Sequence, residues 1–183
     1  APVDLPTQRP YFLFVGRLEK IKGVQTLIDV FQRYNAADLI IVGTGTYEAA
    51  LREQAAGLAH IHFMGFCSQA ELRTLYAGAV AALVSSLCYE TFGWITLEAF
   101  AAHTPVIVSP MGALPEIASS GGLVFTDADN LITHMETLRT QPAVRTALGI
   151  EGNRLLDTHY TEAQHLTNYF DLIHQLQEKR AWS

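Results

Sequence analysis

Two carboxylates, Glu90 and Glu98, stand eight residues apart in Ser86-Leu87-Cys88-Tyr89-Glu90-Thr91-Phe92-Gly93-Trp94-Ile95-Thr96-Leu97-Glu98, with an aromatic–glycine step between them. Glu90 follows an apolar, strand-like run over 80–84 and so belongs to the loop after it. Glu98 falls two turns into a helix expected to begin near Phe92. A helix opening offers unpaired N–H groups and the positive end of a dipole, and both favour an anion. Two acceptors flanking an anion site suit a ligand with phosphates in the middle and hydroxyls at both ends. A nucleotide-sugar fits that description.

Elements must position these groups, and their pattern is regular. Short apolar runs recur at 11–15, 39–42, 61–64, 80–84, 106–108 and 123–125. Runs without alternation suit strands covered on both faces. Between them, Val24, Leu27, Ile28 and Phe31 form the stripe of an amphipathic helix. Leu51, Ala55 and Leu58 predict a second helix, and Leu72, Leu75, Tyr76 and Ala79 a third, opened by a Ser68/Glu71 capping box. The fourth carries Glu98, and 114–118 is a short fifth.

This alternation predicts an α/β fold, a Rossmann-like doubly wound parallel sheet of six strands in the order 3-2-1-4-5-6, with ligands outside the strands' carboxyl ends. Gly16-Arg17, Gly43, Gly65-Phe66 and Glu90 all follow such ends. Beyond about residue 126 the pattern is helical only, over 129–139, 142–156 and 161–177. The expected organisation is a lead-in over 1–10, a Rossmann-like domain over 11–160 and a C-terminal helix over 161–183.

The bulk properties narrow the function. The 183 residues are 49% hydrophobic and 16% charged, which suits one packed domain and excludes disorder. A net charge of −6 lacks the basic footprint of a nucleic-acid binder. No apolar run is long enough to cross a bilayer, and the N-terminus lacks a signal-peptide pattern. Cys67 and Cys88 form neither a metal nor a disulfide spacing. The expectation is an acidic, cytoplasmic protein.

The segments Phe14-Val15-Gly16-Arg17-Leu18-Glu19-Lys20-Ile21-Lys22-Gly23, Ile41-Val42-Gly43-Thr44-Gly45, Glu90 through Glu98, Thr104-Pro105-Val106-Ile107 and Pro115-Glu116-Ile117, in this order, carry a specific resemblance. From about residue 10 to 175 the chain resembles the C-terminal, donor nucleotide-sugar-binding domain of retaining GT-B glycosyltransferases, of the family 4 type (glycosyl transferases group 1). The resemblance implies one half of a two-domain enzyme that transfers a hexose from a UDP-, GDP- or ADP-sugar to an acceptor hydroxyl. The acceptor site would lie on a missing N-terminal domain, through which any peripheral membrane contact would run. The last helix would pack on that domain, and the isolated chain would hardly turn over.

The resemblance assigns Arg17 and Lys22 to the donor diphosphate, where fixed cations stabilise a leaving group without a metal. Glu90 would contact the sugar hydroxyls and take part in catalysis by positioning, and Glu98 would accept from the ribose hydroxyls. Gly16 and the amides of Phe92, Gly93, Trp94 and Ile95 would line the donor, and Phe66 and Cys67 would meet the base. No cofactor is implied.

Other signals are weaker. Asp127-Ala128-Asp129 has the D-x-D pattern of metal-dependent transferases, but it opens a helix and reads as an N-cap. Gly43-Thr44-Gly45 lacks the third glycine of a dinucleotide fingerprint, and the seven histidines show no zinc spacing. Thr91, Trp94, His103 and Ala113 depart from the family's usual residues. His103 stands for a glycine and is expected to matter structurally. The alternatives are a non-catalytic nucleotide-sugar-binding module and another GT-B enzyme, such as a nucleotide-sugar epimerase.

Overall fold

A computed structural model describes residues 4–180. The ends of the expected lead-in and C-terminal helix, 1–3 and 181–183, lie outside the described residues. Six parallel strands form one sheet: β1 (Tyr11–Val15), β2 (Asp38–Val42), β3 (Ile61–Gly65), β4 (Ala81–Val84), β5 (Val106–Val108) and β6 (Gly122–Val124). Their order is β3-β2-β1-β4-β5-β6, the doubly wound arrangement expected.

Among the described residues, eight α-helices join and follow the strands: α1 (Val24–Arg33), α2 (Glu48–Gln54), α3 (Gln69–Gly78), α4 (Trp94–Ala101), α5 (Leu114–Ala118), α6 (Ala128–Thr140), α7 (Pro142–His159) and α8 (Glu162–Arg180). Strand side chains alternate between the two faces. Phe12, Phe14, Leu39 and Ile41 pack with Leu27, Ile28 and Phe31 of α1, Leu51 of α2, and Leu131, Met135 and Leu138 of α6. Leu13, Ile40 and Val42 face the opposite core with Leu75 and Tyr76 of α3, Leu97 and Phe100 of α4, Ile117 of α5 and Leu155 of α7. Both faces are therefore dry, which explains the uninterrupted apolar runs.

Two expectations need correction. Leu58 does not continue the second helix, because α2 ends at Gln54. A turn follows, with Gly57 at φ +82°, and the Leu58 N–H donates to the Ala55 carbonyl. The fourth helix begins at Trp94 rather than near Phe92, because Gly93 ahead of it has φ +67° and breaks the helical path. Glu98 is thus the fifth residue of α4, just over one turn in.

Candidate functional site

The order of chain segments reverses between β1 and β4, where open α/β sheets form a ligand crevice. The loop leaving β1 is held on one side by the turn after β2. The Leu18 N–H donates to Thr44 O (2.9 Å), and the Tyr47 N–H donates to Leu18 O (2.9 Å). On the other side it presses on the end of β4. Gly23 has φ +73°, and a Cβ there would lie 1.9 Å from Ser85 O, so only glycine permits this approach. Ser85 Oγ donates to Lys22 O (2.9 Å), and the Leu87 N–H donates to Ile21 O (2.8 Å). These contacts hold the Lys22 backbone beside the loop after β4.

In that loop, Lys22 Nζ donates to Glu90 Oε1 at 2.5 Å. Ser86 Oγ donates to the same oxygen, also at 2.5 Å. The Glu90 backbone is braced by the loop after β5: it bridges to Gly112, and the Ala113 N–H donates to Glu90 O (2.8 Å). At Gly112 (φ +64°) a Cβ would sit 2.3 Å from Glu90 O, so the brace needs a glycine. Burial pushes the Glu90 carboxyl up, but the hydrogen bonds from Lys22 and Ser86 and the charges of Lys22 and Arg17 outweigh it and hold its pKa below the ordinary carboxylate value. Glu90 is thereby kept ionised.

Beside this cluster α4 opens. Among the described residues, no acceptor pairs with the N–H groups of Phe92, Gly93, Trp94 or Ile95, as expected for a helix start. These four residues, with Gly16, Lys22, Ser86 and Glu90, line a cavity of about 190 Å³. An adjoining cavity of about 230 Å³ is lined by Gly16, Arg17, Phe66 and Cys67, and Gly16 is common to both. Phe66 is 85% exposed, a flat apolar face open to a planar ring. Burial pushes the Cys67 thiol up, so it stays protonated, and both cysteines are free thiols.

The residues singled out in sequence therefore gather, but not in one chamber. Lys22 and Glu90 share the first cavity, while Arg17 lines the second. Glu98 lines neither; its Oε2 accepts from the Tyr76 hydroxyl at 3.1 Å. Burial and the Glu98 charge drive the Tyr76 phenol far above its ordinary range, so it remains a donor. Asp127 caps α6 by accepting from the Asn130 N–H (2.9 Å), and Asp129 pairs with Arg33. Among the described residues, no three His, Cys, Asp or Glu side chains gather as a metal-ligand set.

Sequence reasoning missed Ser86 and Tyr76 as partners of the two carboxylates. The available signal for Ser86 was a pair of hydroxyl residues closing a buried strand, where an unpartnered hydroxyl is costly. Tyr76 shares a core stripe with Leu72 and Leu75, which masks its hydroxyl's role.

The doubly wound sheet has the Rossmann-like form of one half of a GT-B fold, with a cation–carboxylate cluster and an open helix start at its switch point. The family model described as glycosyl transferases group 1 matches residues 9–141, and the chain belongs to that family. It is 41% identical over 112 residues to the uncharacterized glycosyltransferase MJ1607 of Methanocaldococcus jannaschii, covering 57% of this chain and 28% of that protein. Among solved structures, sucrose-phosphate synthase from Thermosynechococcus elongatus superposes with a TM-score of 0.79 at 26% identity, over 97% of this chain and 50% of that one. Anabaena HepE in complex with UDP-glucose gives a TM-score of 0.81 at 19% identity, over 93% and 50%. The chain thus spans between about a quarter and a half of the length of these three proteins. Among the described residues, no helix is long and apolar enough to cross a membrane.

Proposed function

We propose that this chain is the nucleotide-sugar donor-binding domain of a metal-independent, retaining glycosyltransferase acting in the cytoplasm. The observation that carries this reading is the cluster of Lys22, Glu90 and Ser86 against the open start of α4. A diphosphate lodged there receives the amides of Phe92–Ile95 and the Lys22 ammonium. Arg17 reaches it from the adjoining cavity, whose Phe66 face takes the base. The sugar lies toward Glu90, which accepts from its hydroxyls, and Glu98 accepts from the ribose. Charge that builds on the departing diphosphate is neutralised by Arg17, Lys22 and the helix start, so the protein supplies what a metal supplies elsewhere. With the leaving group held on that side, an acceptor hydroxyl brought by a second domain attacks from the same face. The free thiols at Cys67 and Cys88 accord with a reducing compartment.

Calorimetry of the chain with UDP, GDP and ADP in the presence of a chelator tests the reading. At least one is expected to bind, and Arg17→Ala is expected to lose about 1.5–3 kcal/mol of that affinity, the range for charged hydrogen bonds. Binding that appears only when a divalent metal is added, or that is indifferent to Arg17→Ala, rules it out.

A further inference from the structure

We propose that Ser86 is a positioning residue that keeps Glu90 aimed into the cavity once Lys22 turns to the donor's phosphates; this inference rests on the donor-site reading above. Glu90 Oε1 accepts from Lys22 Nζ and from Ser86 Oγ, each at 2.5 Å. The Lys22 and Glu90 side chains are only 22% and 18% exposed, so water compensates neither fully. An arriving diphosphate competes for the Lys22 ammonium. Glu90 then keeps its charge and its direction only through what remains bound to it.

Ser86 is built to be that remainder. It is 2% exposed and lies at the boundary of two cavities, the donor cavity and one of about 510 Å³ between α1 and the loops after β5 and β6. Its carbonyl is pinned by Ser109 Oγ at 2.8 Å, and Ser109 is itself buried. A short side chain with one rotatable torsion, on a backbone fixed at the end of β4, points its hydroxyl with little entropic freedom to lose. Lys22 is long and mobile by comparison. The division of labour follows: Lys22 serves two anions in turn, and Ser86 serves one throughout.

The test separates positioning from general structural support. Affinities of UDP-glucose, GDP-mannose and ADP-glucose are measured beside those of their bare diphosphates, for the parent, Ser86→Ala, Glu90→Ala and the double variant. The sugar's added affinity is expected to fall about tenfold in Ser86→Ala, while the bare diphosphate is held as before. In the Glu90→Ala background the same Ser86 substitution is expected to change nothing, because its effect passes through the carboxylate. Without ligand, a ¹³C titration of the Glu90 carboxyl, which faces Lys22 and Arg17, is expected to show its pKa rising toward the ordinary value in Ser86→Ala. Equal losses from Ser86→Ala with and without Glu90 overturn the inference, as does an unmoved carboxyl titration. If the parent binds no diphosphate at all, the donor-site reading itself fails and takes the inference with it.

Discussion

His103 has φ +54°, a left-handed backbone that costs a residue with a Cβ. Its N–H donates to Phe100 O and the Thr104 N–H donates to Ala99 O, at 3.0 and 2.9 Å. That pair of bonds is the Schellman termination of α4, in which the position held by His103 ordinarily carries glycine. The imidazole is exposed, so its loss removes no core contact. His103→Gly is expected to raise stability by about 1 kcal/mol through relief of this strain, read as a higher urea midpoint at unchanged slope. A lower midpoint would mean that the histidine makes a contact outweighing its torsion. The sequence marked His103 as structural because it stands where the family has glycine, and the torsion supplies the reason. By contrast, the meeting of Lys22 with Glu90 and Ser86 was hidden. Sixty-eight residues separate the ion pair, and only the parallel pairing of β1 with β4 brings the two loops together.

Helix starts divide into those written locally and those imposed by the fold. The α3 capping box was legible because Ser68 and Glu71 complete it within one turn: Ser68 Oγ accepts from the Glu71 N–H, and the Glu71 carboxylate accepts from the Ser68 N–H. The α6 cap was equally local, with Asp127 accepting from Asn130, and its hydrogen bonds hold the Asp127 carboxyl below its ordinary pKa. For α4 no side chain caps the start; the turn at Gly93 sets it, and the bare amides face the cavity instead. An uncapped helix start beside a pocket leaves its first amides free to meet an anion there. Asp127→Ala separates the two kinds. It is expected to lower the thermal or urea midpoint through loss of the cap, while diphosphate affinity with and without chelator stays that of the parent. Loss of affinity restored by a divalent metal would show that Asp127-Ala128-Asp129 is a ligand-binding motif after all.

At the scale of the molecule, the sheet and its two cores were readable because apolar runs alternating with amphipathic stripes leave one economical topology. What lies at the periphery was less so, since its stability depends on surroundings that sequence pattern does not encode. None of the side chains from 162 to 177 of α8 is buried. Leu166, Tyr169, Phe170, Leu172 and Leu176 are each about half exposed, between 45% and 54%. A helix of this length gains little from propensity alone and depends on packing for its stability, and a strip of five large apolar side chains calls for a covering surface. In the GT-B reading that surface belongs to the domain carrying the acceptor site. Hydrogen exchange on the chain alone is therefore expected to show α8 amides exchanging orders of magnitude faster than those of β1, whose residues 11–14 are buried. If the GT-B reading holds, adding the acceptor-bearing domain is expected to slow α8 while leaving β1 unchanged. If α8 is already as protected as β1 in the isolated chain at low concentration, the apolar strip is satisfied within this domain, and the last helix has no bridging role.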